Sequence, residues 1–553
     1  MRALPRERVL KLHVEDNVVV ALEDLAASTR VSFSGHDLVL TSAVPAKHKF
    51  ALQAIPVGGS ITMYGVTVGQ ATQEIPAGEV LNTRNVRHDT ASFHEKSGKF
   101  TWTPPDVSKW KTRTFAGFHR ADGQVGTRNY WLVVPLVFCE NRNIAVLKQA
   151  FQQGLGFVQP PVYQEQVAEL ARLYESGQAE RVRNYSPPAK RSAAKRSSIF
   201  PHVDGIKFLI HEGGCGGTRE DAKNLCGLIA GYIHHPNVAG ATVLSLGCQN
   251  AQVAILRDEL HKRNPQFSKP LYIFEQQKSG EEFTMLSDAV KTTFLGLIEA
   301  EECRRAPAPL RELSIGLKCG GSDGFSGISA NPAIGHVSDL VVALGGKTVL
   351  SEFPELCGAE QALIDRSVSS EVAGRFMQLM NSYSARAKAV GSGFDMNPSP
   401  GNIRDGLLTD AMKSAGAAKK GGTSPVTAVL DYPEYIREPG LNLQCTPGND
   451  VECVTAQVGA GANVVLFTTG LGTPTGNPIA PVVKISTNSQ LAGKMPDIID
   501  IDTGSIISGR ATIEQMGEEI LERVIQIASG EAATCAESLA QDDFIPWKRG
   551  VSL

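Results

Sequence analysis

The feature that most constrains this chain is a unit that recurs along it: a short apolar run that stops abruptly in glycine and a polar side chain, with helical spacing after it. IKFLIH ends in His211-Glu212-Gly213-Gly214-Cys215, and ATVLSLG ends in Cys248-Gln249-Asn250. LSIGLK runs into Cys319-Gly320-Gly321-Ser322-Asp323, KTVLSE into Glu352 and Glu355, and NVVLFTT into Gly470-Leu471-Gly472-Thr473. Continuous apolar runs suit strands buried on both faces, and helices between them supply the crossovers of a parallel sheet. In open sheets of this kind, ligands bind at the carboxyl ends of the strands, where loop amides and helix N-termini converge. The 54 glycines among 553 residues exceed the usual level of about 7%, and many lie in these loops, where a missing side chain lets backbone approach an anion. Five such loops in one chain predict an anion-binding cleft.

Around this region the chain divides into four parts. Residues 9 to 88 are rich in Val, Ile and Thr, with short strands and turn signals, and read as a compact, mostly-β domain; helical spacing appears there only over Val20 to Ala27. Residues 89 to 115, with Pro104-Pro105 and little periodicity, read as a linker. A first α/β domain follows over 116 to 306, with helices expected at Arg142 to Gln153, Arg219 to His234 and Val253 to Lys262. A C-terminal α/β domain covers 307 to 553. An insertion at about 164 to 198 breaks the rhythm and contains YSPPAKRSAAKRSS. It reads either as a solvated surface segment or as a docking site for something anionic.

Composition narrows the function classes. Lys plus Arg total 54 against 57 acidic residues, a formal charge of -3, so the chain lacks the net basic field of a general nucleic-acid or membrane-surface binder. Its longest apolar runs, such as Tyr130 to Phe138, are too short to span a bilayer. The start, MRALPRERVLKLHV, carries charge where a signal peptide needs an apolar core, so the expected location is cytoplasmic. Ten cysteines without a secretory signal read as thiols or metal ligands.

Nucleotide signatures are missing. Gly345-Gly346-Lys347-Thr348 resembles the tail of a phosphate-binding loop, but Val341 stands where the first glycine belongs, and no GxGxxG opens a helix after a strand. His211-Glu212-x-x-Cys215 is not the zinc-protease pattern, and the chain has no CxxC pair. Cys215, Cys248 and Cys319 all follow expected strands, so they read either as space-filling thiols near glycine turns or as ligands of an iron site with His211 and Glu352. His48-Lys49, in the β domain, reads either as surface decoration or as a base and an anion anchor closing over the neighbouring domain.

These residues carry a resemblance. The chain resembles the altronate/galactarate dehydratase family in His48-Lys49-Phe50-Ala51-Leu52, in Asp122-Gly123-Gln124-Val125-Gly126-Thr127-Arg128-Asn129, and in His211 with Gly214-Cys215. The likeness continues through His235-Pro236-Asn237, Gly247-Cys248, CGGSDGFSGISANP from Cys319, NPSPGN from Asn397, Lys413-Ser414, PGND from Pro447 and FTTGLGTP from Phe467. HVEDNVVVALEDLA and Glu275-Gln276-Gln277 look more like the altronate than the galactarate branch. The resemblance implies a small SAF-type β-clip domain followed by two Rossmann-like α/β domains, and a hydro-lyase acting in hexuronate catabolism. It implies removal of water from a sugar acid, D-altronate to 2-dehydro-3-deoxy-D-gluconate, with Fe²⁺, with Mn²⁺ or another divalent cation as alternatives, and a homodimer. Galactarate or another hydroxy acid is the alternative substrate, and a carbohydrate-binding or assembly module the non-enzymatic alternative. The chain departs from the family pattern at Lys47, usually Gly, at Ala411-Met412, usually acidic, and in the insertion.

The chemistry so implied is loss of a weakly acidic proton α to a carboxylate and departure of hydroxide, which needs a base, an acid and electrostatic stabilisation of an enolate-like dianion. His48 is the expected acid/base, with Lys49 or Arg128 as carboxylate anchors. Asn129, Ser322, Asp323, Asn331, Asn402 and Lys413 are expected around the substrate, and His211, Cys215, Cys248, Cys319 and Glu352 around the metal. An iron–sulfur cluster on three cysteines is the alternative to a single ion.

Overall fold

Alternation in the first ninety residues builds strands. The structure, a computed structural model, describes residues 8–33, 35–155, 162–187 and 199–552. Val18–Ala21 pairs antiparallel with Val9–Leu10 on one side and Lys49–Ala51 on the other. Ser60–Met63, Val66–Ala71 and Val86–Arg87 form a second antiparallel sheet. No helix forms over Val20 to Ala27: Val18 to Ala21 are all buried, and a strand covered on both faces is apolar throughout, which imitates helical spacing in so short a window.

The domain also contains a fourfold repeat. Leu25-Ala26-Ala27-Ser28, Val44-Pro45-Ala46-Lys47, Ile55-Pro56-Val57-Gly58 and Ile75-Pro76-Ala77-Gly78 make the same turn. Leu25 bridges Val44 and Ile55 bridges Ile75, and the last residue of each copy has a positive φ, 64°, 74°, 77° and 82° in chain order. The core of this domain is not its own alone. Val18, Val20, Ile61, Met63 and Val68 pack with Phe325, Ile328, Ala411, Met412 and Ala415 of the C-terminal region, so burial of one apolar cluster fixes the two parts together.

The expected linker is irregular yet anchored: Val107 and Trp110 are buried, and the Trp110 indole donates to Glu522 at 2.9 Å. It leads into Thr114–His119, which pairs antiparallel with Arg305–Pro309, the segment at the expected domain boundary.

Two parallel sheets follow. The first has spatial order Gly205–Phe208, Tyr130–Pro135, Val238–Ser245, Leu271–Glu275. Trp131 and Val133 face helices Asn141–Leu155 and Glu282–Glu301 on one side. Tyr130, Leu132 and Val134 face the other, in a core shared with Val454, Val465 and Phe467 of the C-terminal region. The insertion forms helices Val162–Glu175 and Ala179–Arg183; most of its basic run, residues 188–198, lies outside the described residues.

The second sheet has seven parallel strands, in the order Val426–Leu430, Gly440–Gln444, Lys347–Leu350, Ser314–Cys319, Val464–Thr469, Val482–Ser486, Ile501–Asp502. The Gly440–Gln444 strand has no clear sequence signal because Asn442 and Gln444 are polar. Both are buried and satisfied by backbone, through Asn442 to the Gly440 carbonyl at 3.0 Å and Gln444 to that of Ala456 at 3.2 Å. The order of strand addition reverses at Ser314–Cys319: the next strand in sequence, Lys347–Leu350, lies on one side of it and Val464–Thr469 on the other, all parallel. That reversal opens a crevice at the carboxyl ends. Among the described residues, no helix is long and apolar enough to cross a membrane.

Candidate functional site

The crevice at the reversal point gathers residues from three of the glycine-terminated strands. Cys319 ends the first, Glu352 and Glu355 follow the second, and their ligand atoms all lie within 4.8 Å of one another. All three are buried. Glu352 takes up a left-handed conformation, φ 66° and ψ 56°, and its carboxylate meets Lys318 and Lys420. A buried carboxylate requires a partner, and three lysines provide it. Lys318 pairs with Glu352 and, at 3.0 Å, with Asp450. Lys420 lies 2.5 Å from Glu352 and donates to the Cys319 sulfur at 2.8 Å. Lys413 binds Glu355 at 2.7 Å and Asn397 at 2.9 Å. Burial raises the Glu355 pKa, but Lys413, Lys318 and Lys420 outweigh it and bring it down to about 2. Burial pushes the Cys319 thiol up to about 11 against the pull of Lys420.

A second shell of groups closes the crevice from the β domain. The Val44-Pro45-Ala46-Lys47 turn projects onto the Cys319-to-Ser326 loop, and the Lys47 ammonium sits 3.1 Å from Asp323 and 2.8 Å from Asp405. Burial works against the Lys47 charge, yet Asp323 and Asp405 hold its pKa above the usual value. The turn fits because Gly324 and Gly406 have no side chain: a Cβ at either would lie 2.3 or 2.4 Å from the Lys47 carbonyl oxygen. Asp323 is fully buried and accepts from Ser326, Thr487 and Asn488 side chains at 3.0 to 3.2 Å.

His48 follows, half-buried, with Nδ1 3.2 Å from the Ala46 carbonyl. Burial lowers its pKa, and Lys49 lowers it further, so the ring is neutral at pH 7. Lys49 itself is completely buried, donates to the Gly406 carbonyl at 2.7 Å, and is brought down to about 7 by burial, with Asp323 pulling the other way. Beside them the Ser322 hydroxyl is buried without a protein partner. Asn402 caps its own helix through Ser399 and donates to the Ser322 carbonyl at 2.8 Å, so it orients the loop. Asn331 is engaged at both ends, by Gly416 and Thr468.

The crevice therefore unites His48, Lys49, Ser322, Asp323, Asn402, Lys413, Cys319 and Glu352, and adds Lys318 and Lys420, which the sequence does not mark, with Lys47 and Glu355, which it marks without a role in the site. Lys318 and Lys420 gave no signal because a lone lysine in a strand or turn reads as solvent-facing. Glu355, three residues beyond KTVLSE, carries no role in the sequence pattern.

Five expected residues lie elsewhere. Arg128, expected as a carboxylate anchor, pairs with Glu537 at 2.7 Å and donates to the carbonyls of Thr127 and Ile527, which engages its whole guanidinium. Asn129 bonds Arg120, Asp204 and two carbonyls beside it. His211, expected around the metal, lies at the end of the four-stranded sheet. Its Nε2 donates to the Pro135 carbonyl at 2.8 Å while Nδ1 accepts from the Gly213 amide at 3.1 Å. Burial brings it down to about 4, so both nitrogens of a neutral ring are engaged. Cys215 and Cys248 are exposed at the end of the four-stranded sheet, apart from Cys319.

Comparison with known proteins covers the chain from end to end. Residues 7–89 match the family model described as the altronate/galactarate dehydratase SAF domain. Residues 117–301 match D-galactarate dehydratase/altronate hydrolase, second domain, and residues 310–552 match D-galactarate/altronate dehydratase, C-terminal. The altronate dehydratase of Escherichia coli K12 is 34% identical over 98% of this chain and 99% of its own length. The altronate dehydratase of Bacillus subtilis 168 is also 34% identical, with the same coverage. The L-threo-forming galactarate dehydratase of Escherichia coli K12 is 31% identical over 96% of this chain and 95% of its own length.

Proposed function

The chain belongs to the altronate/galactarate dehydratase family, and from that premise we propose that it is a hydro-lyase converting D-altronate to 2-dehydro-3-deoxy-D-gluconate. The observation that carries this reading is the 34% identity with two altronate dehydratases along 98% of the chain, with no part of the catalytic region missing.

The crevice under the β domain is the site of reaction in this reading. His48, neutral at pH 7, takes the proton α to the substrate carboxylate. Lys49 acts through His48: its charge lowers the ring's affinity for a proton, so it is a positioning residue rather than an anchor. Lys47, held charged by Asp323 and Asp405, supplies positive potential where the carboxylate enters, and the unpartnered Ser322 hydroxyl accepts or donates to a substrate hydroxyl. One sulfur and two carboxylates suit divalent iron better than magnesium or calcium. Cys319, Glu352 and Glu355 would hold such an ion once an ammonium group is displaced, and it would polarise substrate oxygens. Asn402 and Lys413 keep the loops around these groups in register.

The test is anaerobic incubation of the full chain with Fe²⁺ and either D-altronate or galactarate, with the 2-keto-3-deoxy acid product measured. Altronate is expected to react with a kcat/KM at least tenfold above galactarate, about 1.4 kcal/mol of discrimination. The reverse preference moves the chain to the galactarate branch, and no product from either acid sinks the reading.

A further inference from the structure

Cysteine is among the most buried residue types; of the ten here four are buried and three half-buried. Three are exposed: Cys139, Cys215 and Cys248. All three follow directly on neighbouring strands of the four-stranded parallel sheet, at its carboxyl end. Pro135 pairs with Leu244 in the sheet, so Cys139 and Cys248 stand at equal steps beyond paired residues. Cys215 lies beyond the strand on the other side of Tyr130–Pro135.

The three loops are tied to one another. The Phe138 amide donates to the Gly213 carbonyl at 3.0 Å, and the Ala251 amide donates to the Gly214 carbonyl at 3.0 Å. The Asn141 side chain donates to the His211 carbonyl at 2.9 Å. His211, fixed by both ring nitrogens, bolts the Cys215 loop to Pro135. Hydrogen bonds thus join the Cys215 loop to the loops of both other cysteines.

We propose that Cys139, Cys215 and Cys248 bind an iron–sulfur cluster at this end of the sheet. The three sulfurs stand too far apart for a single ion as they are. Thiolates on one tetrahedral ion, each about 2.3 Å from it, stand roughly 3.8 Å apart, whereas among the described residues these three sulfurs do not all come within 4.8 Å of one another. A cage of several irons is wider. The electrostatics favour it too. Helices Asn141–Leu155, Arg219–His234 and Val253–Arg263 each begin within five residues of one of the cysteines, and their positive ends stabilise thiolates and an anionic cage. Gln277 donates to the Cys248 sulfur at 3.2 Å, a bond that holds and tunes a ligating sulfur. Asn141, Cys215 and Asn250 also line a cavity of about 610 Å³ under the C-terminal tail, which leaves room beside the loops. Each thiol releases one proton on ligation, and ferric and ferrous iron with sulfide supply the rest, so the oxidation level of the cage is brought in by the iron itself. Cys319 takes no part, being buried in the other sheet with Lys420 on its sulfur.

The experiment is anaerobic reconstitution of the full chain with ferric and ferrous iron, sulfide and a thiol, followed by measurement of iron, acid-labile sulfide and visible absorption. Sulfide is expected together with an equal amount of iron beyond any single ion at Cys319, Glu352 and Glu355, and with a broad visible band. Cys139→Ser, Cys215→Ser and Cys248→Ser should each lose most of the sulfide and the iron that matches it, and Cys319→Ser should keep the sulfide and the visible band. Alkylation of the intact wild-type chain tests the same ligands without any variant: these three cysteines should be labelled before reconstitution and protected after it. Iron without sulfide, an unaltered cluster in Cys139→Ser, or unchanged labelling overturns the proposal. A chain that dehydrates altronate yet takes up no sulfide overturns the cluster and leaves the proposed activity standing; sulfide uptake without turnover does the reverse.

Discussion

Lys49 is the residue whose environment departs furthest from what its type leads one to expect. A fully buried lysine brought down to about 7 binds fewer protons than its unfolded counterpart between about pH 7 and its usual value near 10.5. Stability therefore rises with pH across that window, because the unfolded state holds the extra proton there. Denaturant midpoints for the wild type and Lys49→Met, measured from pH 7 to 10, should show the wild type gaining on the variant as pH rises; parallel curves would mean that Lys49 keeps its ordinary affinity. Lys47 presents a different conflict. Its left-handed backbone costs roughly 1–2 kcal/mol in a residue with a side chain, and two sister turns carry glycine at that place, Gly58 and Gly78. The ion pairs with Asp323 and Asp405 explain a lysine here. In Lys47→Gly the relieved strain offsets the lost pairs, so the melting temperature should move little. KM for the sugar acid should rise about tenfold, some 1.4 kcal/mol of lost binding, with kcat much less affected. A changed kcat at constant KM would contradict a role for Lys47 in meeting the carboxylate.

At the scale of elements, the strand ends carry the site, and their glycines set how closely the loops approach. Gly470, after Val464–Thr469, lies against Asp323: a Cβ there would stand 2.2 Å from the carboxyl carbon. Gly470→Ala should cost about 1–3 kcal/mol of stability through overpacking and lower turnover by displacing Asp323, read by thermal melting and by the altronate assay. Gly493 is the contrasting case, in helix Ser489–Lys494 with open space around its Cβ position. Alanine there should stabilise by roughly 0.5–1 kcal/mol and leave turnover unchanged. Most of the strands and helices of the two parallel sheets were legible in the sequence, because a doubly covered strand must be apolar and the helices between strands carry their own periodicity. Gly440–Gln444 escaped because its buried polar side chains are satisfied by backbone that only the fold brings near. The fourfold turn in the β domain was written in the sequence as an apolar residue followed by Pro or Ala, and three steps on by the positive-φ position. It passed unread because Ser28 and Lys47 hide the glycine that marks the other two copies.

For the whole molecule, the joints between the three regions matter as much as the regions. Thr127-Arg128-Asn129 and His235-Pro236-Asn237 meet there: the Asn237 side-chain oxygen accepts from the Thr127 amide at 2.7 Å, and His235 reaches the Ala462 carbonyl at 3.0 Å. Both motifs carry the family resemblance, and both are structural joints in this arrangement. Arg128→Ala leaves Glu537 nearly buried without its partner and should destabilise by about 3–5 kcal/mol, with KM for altronate unchanged in protein kept below its lowered melting temperature. A large rise in KM would return Arg128 to the substrate.

The sequence by itself determined the order of the regions, the class of the sheets and the loops that would carry polar chemistry, since these follow from local periodicity and from where glycine interrupts it. Tertiary structure alone decided which of those loops meet. Cys215, Cys248 and Cys319 hold equivalent places in the repeating unit, yet two end one sheet and the third ends another. The lysines that neutralise Glu352 and Glu355 come from a strand, a helix and the turn after it, separated by roughly a hundred residues. Periodicity records which face a residue lies on. The company a buried charge keeps is set by how the faces pack, and that depends on the whole chain at once.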